Sequence, residues 1–143
     1  CENFNLKSQI LNKGELIEKD KEIIIINSYG DLQNFYKYCS SVFMGKSMGR
    51  NLIKVGGQSP IEPAQLGCRV YHGPYVYNFQ EIYKMLNNNK ISQLIKNSEE
   101  LVANIIYDLK KQNLNKDSFS NFMNDLGQRT FLDTLRVINQ FIK

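Results

Sequence analysis

The sequence predicts an α/β fold, a Rossmann-like, doubly wound and mainly parallel sheet, and two observations lead there. Short β-branched or apolar blocks alternate with segments of helical spacing along most of the chain, which is the pattern of βαβ units. Loops rich in turn formers leave the C-terminal ends of three such blocks, at 27–31, 45–62 and 72–78, where ligands of open α/β sheets bind. If the three strands are neighbours, the three loops converge.

Each element has a local reason. Residues 21–27 hold Ile23, Ile24, Ile25 and Ile26 between charges and turn formers, as expected of a strand buried on both faces. After the turn at 28–30, Leu32, Phe35 and Tyr36 stand at helical spacing in 31–38, and 41–44 reads as the next strand. Residues 45–59 carry Gly45, Gly49, Gly56 and Gly57 among Lys46, Arg50 and Lys54, a flexible basic loop. Pro60 then opens a helix over 61–66 that Gly67 closes. Residues 69–71 form a short strand ended by Gly73-Pro74, and Phe79, Ile82, Tyr83 and Leu86 make an i, i+3, i+4, i+7 helical stripe. A turn at 87–89 and an edge strand at 91–95 follow. Ser98, Glu100 and Leu101 then begin a helix with Leu101, Ile105 and Leu109 on one face. Over 112–143 the pattern predicts two terminal helices. The first is capped by Asp117 or Ser118 and ended by Gly127, and the second is striped by Phe131, Leu135, Ile138 and Ile142.

Composition bounds the function. A chain of 143 residues with 42% apolar and 22% charged residues and no apolar run near the ~20 that span a bilayer reads as one globular domain, 1–143. Its net charge of +4, from 18 basic and 14 acidic residues, is modest and dispersed. That balance suits an anionic ligand or a membrane surface and does not argue for nucleic acid. Three separated cysteines, Cys1, Cys39 and Cys68, with one histidine supply no zinc or iron–sulfur set, so no metal or cofactor is expected. They fit a reducing compartment. The chain opens on Cys1 without a signal segment, so it is expected to be a fragment of a longer protein.

Several motifs have ordinary explanations. Gly45-Lys46-Ser47 is no phosphate loop, because Ser40 stands where the pattern needs glycine. Cys68 and His72 are four apart on a strand, ~13 Å, too far for a catalytic pair. Tyr71, Tyr75, Tyr77 and Phe79 read as packing ahead of a base-stacking platform. The run Gly56-Gly57-Gln58-Ser59-Pro60-Ile61-Glu62 is more informative: paired glycines permit close backbone approach, and Glu62 suits either the first turn of a helix or two ribose hydroxyls.

Four motifs in fixed order, Asn27-Ser28-Tyr29-Gly30-Asp31-Leu32, Val42-Phe43-Met44-Gly45-Lys46-Ser47, 56–64 with its Gly-Gly-Gln-Ser-Pro-Ile-Glu-Pro-Ala, and Gly73-Pro74 with Asn78-Phe79, resemble the C-terminal domain of 3-deoxy-D-manno-octulosonic acid (Kdo) transferases. The resemblance runs from about residue 22 to residue 109. It implies the C-terminal half of a GT-B fold, truncated at its N-terminus, with donor (CMP) contacts at Tyr29, Gly30, Asp31, Gly57, Gln58, Ser59, Pro60, Ile61 and Glu62. It further implies a metal-independent, inverting transfer of Kdo from CMP-Kdo to a lipid A precursor, in lipopolysaccharide biosynthesis at the cytoplasmic face of the bacterial inner membrane. The acceptor and the catalytic base belong to an N-terminal domain, so no catalytic residue is expected in this soluble fragment, which should be inactive alone. The first strand and phosphate-binding loop of the C-terminal domain are expected just before Cys1. Gln58 and Ser59 stand where the family commonly has His-Asn, Tyr75 where it has His, and Asp31 where it has Glu; the loop 48–55 is longer than in many relatives. A different nucleotide-sugar GT-B transferase and a non-catalytic nucleotide-binding module are the alternatives.

Overall fold

The computed structural model describes residues 1–110 and 116–142. Its backbone falls into two compact units, Cys1–Leu32 and Gln33–Lys143.

In the first unit, β1 (Ser8–Asn12) and β2 (Ile23–Asn27) pair in parallel, Ile10 beside Ile25 and Leu11 beside Ile26. The sequence pattern identified β2 and not β1, which offers only Ile10 and Leu11 as apolar residues. Leu11 is buried, and the chain crossing back between the strands is tied to β1 through Gln9, whose amide donates to Leu16 O and whose Oε1 accepts from Glu18 N. The isoleucine block is not covered on both faces as expected. Ile25 is 48% exposed and its partner Ile10 61% exposed. A two-stranded ladder buries only what the rest of its own unit covers, and four consecutive isoleucines do not by themselves supply that cover.

The second unit begins within the short helix α1 (Leu32–Tyr36). It holds β3 (Ser41–Phe43), β4 (Arg69–His72) and β5 (Ser92–Leu94), all parallel in the order β3-β4-β5. Helix α2 (Ile61–Gln65) leads into β4, α3 (Gln80–Asn88) joins β4 to β5, and α4 (Ser98–Lys110) follows β5. The α/β class and its parallel pairing are therefore as expected, with the described ladders divided between two open sheets. β5 is at an edge, as anticipated.

The core is built on α2, β4, α3 and the start of the last helix: Met44, Ala64, Val70, Val76, Tyr83, Leu86, Ile91 and Met123 are buried together. Phe79 and Ile82 pack against them, so the α3 stripe faces inward as its spacing required. Burying side chains of this size contributes ~1.5–3 kcal/mol each.

β4 is the most enclosed strand, yet it is not the most apolar. Arg69 donates to Lys90 O and Gln93 Oε1, Tyr71 donates to Asp108 Oδ2 at 2.6 Å, and His72 Nδ1 is 2.8 Å from Gly73 O. A polar strand can sit centrally when its side chains find partners inside the fold.

The terminal helices differ from expectation. Helix α5 (Lys116–Phe141) runs as one element through Gly127; residues 111–115, which would hold the start of the region read as terminal helices, lie outside the described residues. A helix-interior glycine costs ~1 kcal/mol, too little to break a ladder of this length when the flanking residues remain helical. The first half of α5 is anchored by Met123, Phe119 and Phe122. Its second half exposes the predicted stripe, including Phe131 and Ile138. Between α2, α3 and α5 runs an apolar groove of about 660 Å³.

Candidate functional site

The second and third of the expected loops meet. β3 and β4 are adjacent and parallel, so 45–60 and 72–79 leave the same edge of the sheet. Ser47, completely buried, ties them: its hydroxyl donates to Met44 O at 2.5 Å and accepts from Gly73 N at 2.9 Å, and its carbonyl accepts from Tyr75 N at 2.9 Å. A Cβ on Gly73 would collide with Ser47 O and approach Met48 Cβ to 2.7 Å, so this crossing requires glycine.

A second set of bonds holds the outer part of the loop. Tyr77 donates its hydroxyl to Ile53 O, Asn78 donates its amide to Val55 O at 2.9 Å, and Asn78 N donates to Gly56 O at 3.3 Å. Gly56 and Gly57 both have positive φ, +76° and +80°. A Cβ on Gly56 would fall 2.5 Å from Asn78 Nδ2. The paired glycines thus let the chain pass under the Tyr77-Asn78 corner and turn into α2.

Beyond that turn, Gln58 O accepts from the Tyr83 hydroxyl at 2.9 Å, while the Gln58 and Ser59 residues are exposed. Ser59 Oγ accepts from Ile61 N at 3.4 Å. Pro60 is buried at the entry to α2, and Ile61 packs on the core, so these two anchor the loop. Glu62 is exposed in the first turn of α2 and accepts from the Gln33 side chain at 2.8 Å. Burial, and then the nearby Glu62 charge, raise the Tyr36 phenol above its ordinary pKa. Lys46, Arg50 and Lys54 are exposed along the same loop, and no acidic residue occurs from 45 to 61.

The structure therefore brings Gly57, Gln58, Ser59, Pro60, Ile61 and Glu62 together on one rim of the second unit. Tyr29, Gly30 and Asp31 belong to the first unit, just past the end of β2. There Tyr29 is fully exposed, Gly30 has φ +86° and Asp31 is half-buried.

Cys68 and His72 form no pair. Cys68 Sγ donates to Tyr36 O at 3.2 Å, and burial pushes its thiol up to about 11. His72 faces the ring of Tyr83, with centroids 4.2 Å apart, and burial lowers its pKa despite the Gly73 carbonyl. The aromatic alternation is packing: Tyr71 is tied to Asp108, Phe79 lies against the core and Tyr77 clamps the loop. Sequence reasoning missed Gln33, and it met Ser47 and Asn78 only as members of the ordered motifs, without assigning either a role.

Among the described residues no cluster of three or more His, Cys, Asp or Glu could hold a metal ion, and no helix is long and apolar enough to cross a membrane.

No protein-family model matches the chain. It is 32% identical over 95 aligned positions to the 3-deoxy-D-manno-octulosonic acid transferase of Haemophilus influenzae, covering 59% of this chain and 21% of that protein. With the transferase of the same description from Rickettsia conorii it shares 24% identity over 147 aligned positions, 99% of this chain and 30% of that protein. The chain thus spans less than a third of the length of these relatives. Its backbone matches the crystal structure of the C-terminal CMP-Kdo binding domain of WaaA from Acinetobacter baumannii with a TM-score of 0.73 at 21% identity, over 90% of this chain and 64% of that one. The resemblance in the ordered motifs is thus met from two directions: the chain is similar in sequence to 3-deoxy-D-manno-octulosonic acid transferases and in fold to a C-terminal CMP-Kdo binding domain.

Proposed function

We propose that this chain is the donor-binding part of a Kdo transferase of GT-B architecture, and that its role is to hold CMP-Kdo. The observation that carries the reading is the rim at 57–62, where a glycine-paired turn leads into α2 with Glu62 exposed in its first turn, at the end of a loop that leaves the C-terminal end of β3 in a parallel sheet. In this reading Glu62 accepts from the ribose hydroxyls and the backbone of 57–61 lies along the nucleotide.

The chemistry divides accordingly. Transfer to a sugar hydroxyl needs a base at the acceptor and hydrogen-bond donors or cations at the departing CMP phosphate. The rim, with Lys46, Arg50 and Lys54 on its loop, is suited to the second task. The base and the lipid A precursor site fall to the rest of a longer protein working at the cytoplasmic face of the inner membrane.

Calorimetric titration of this chain with CMP in the presence of EDTA tests the reading. Saturable binding that magnesium leaves unchanged is expected. Absence of CMP binding overturns it, and tighter binding of UMP assigns the chain to a transferase using another nucleotide sugar.

A further inference from the structure

Residues 33–36 of α1 and the whole of α2 belong to the second unit, far apart in the chain, yet one buried residue bonds to both. Cys68, completely buried, donates its backbone N–H to Pro63 O in α2 at 2.9 Å and its thiol to Tyr36 O at the end of α1 at 3.2 Å. Glu62 directly precedes Pro63, and Gln33 lies one turn before Tyr36. The frame that Cys68 holds therefore carries both residues.

Across this frame Gln33 Nε2 donates to Glu62 Oε1 at 2.8 Å. An ionised carboxylate only accepts, so the nitrogen of the amide must be the atom that faces it. Tyr36 stands on the same face of α1, where burial and then the Glu62 charge raise its phenol. Among the described residues no ion pair involves Glu62, although Lys46, Arg50 and Lys54 are exposed on the preceding loop. Its side-chain partner is neutral. A lysine or arginine there would hold the carboxylate and offset its charge, whereas an amide fixes one oxygen and leaves Oε2 and the negative charge for hydroxyl donors.

An exposed glutamate without such a partner samples several rotamers, and a ligand that binds it must first order it. Gln33 removes part of that cost in advance. We propose that Gln33 is a positioning residue for the ribose diol: it holds Glu62 in the rotamer that accepts from two adjacent hydroxyls. Discrimination between a ribonucleotide and its dideoxy counterpart then depends on residue 33 as well as on Glu62. The inference rests on the ribose reading of Glu62 and adds to it a residue 29 positions away.

Calorimetric titration of the native chain, Gln33→Ala and Gln33→Glu with CMP and with 2′,3′-dideoxy-CMP tests it. Gln33 is exposed and alanine suits a helix, and retained affinity for the dideoxy ligand, which makes no use of Glu62, verifies that a variant is folded. CMP is expected to bind Gln33→Ala about three- to tenfold more weakly than the native chain, while dideoxy-CMP binds both alike. Gln33→Glu keeps the length and sets a second carboxylate against Glu62, so its loss of CMP affinity should be larger, at least about tenfold. Equal weakening of both ligands in Gln33→Ala, or a ratio of the two affinities that neither variant changes, overturns the proposal and leaves the nucleotide reading standing. A native chain that binds CMP no more tightly than dideoxy-CMP overturns the ribose reading itself, and the role of Gln33 with it.

Discussion

Gln33 donates its side-chain amide to Glu62 Oε1 at 2.8 Å, so the leading candidate for ribose recognition already has one protein partner and one oxygen turned to other uses. This relation sharpens the test of Glu62. If it serves only α2 and Gln33, Glu62→Gln costs ~0.3–1 kcal/mol of folding stability and leaves nucleotide affinity alone. If it accepts from ribose, CMP binding weakens by ~1.5–3 kcal/mol, roughly ten- to a hundredfold. Calorimetry with CMP, and with 2′,3′-dideoxy-CMP as the ligand lacking both hydroxyls, separates the two. The dideoxy ligand should bind both proteins alike.

Burial holds His72 below its ordinary pKa, so the folded protein binds this proton less readily than the unfolded chain. The contribution to stability is complete above the unfolded value of about 6.5 and is lost as pH falls from there toward the depressed folded value, by at most about 1.4 kcal/mol per pH unit. Melting temperatures measured between pH 8 and about pH 5 should therefore fall more steeply for the native chain than for His72→Asn. Parallel curves would mean that His72 carries no such linkage.

The Cys68 thiol, raised to about 11 by burial and facing the Tyr36 carbonyl, should be inert at neutral pH. Under native conditions a disulfide reagent is expected to modify the exposed Cys1 and to leave Cys68 untouched until denaturant is added. Mass mapping of the modified peptides checks this, and rapid native labelling of Cys68 would contradict it.

Two glycines should respond to alanine with opposite signs. At Gly73 the new Cβ collides with Ser47 O, so Gly73→Ala should cost ~1–3 kcal/mol and loosen the junction of the two loops. At Gly127, inside α5, the new methyl meets nothing within 4 Å, and Gly127→Ala should stabilise by ~0.5–1 kcal/mol. Urea denaturation of both variants measures the pair; destabilisation by Gly127→Ala would show that α5 is not continuous there.

The sequence by itself determined the α/β class, the order of β2, β3, β4 and β5, the entry to α2 at Pro60 and the inward stripe of α3. These depend on periodicity and on turn formers, which act within a few residues. It also marked the run from Gly56 to Glu62 as a close-approach turn leading into a helix, which the positive φ of both glycines and the start of α2 bear out. The tertiary structure alone decided what depends on residues far apart in the chain. Ser47 meets Gly73 across 26 positions, Glu62 meets Gln33 across 29 and Tyr71 meets Asp108 across 37, and no local pattern announces such partners. For the same reason the isoleucines of β2 remain partly exposed while β4, with an arginine, a tyrosine and a histidine, lies at the centre of its sheet. Burial is set by what packs over a strand, and polar residues are tolerated there when the fold supplies their hydrogen bonds.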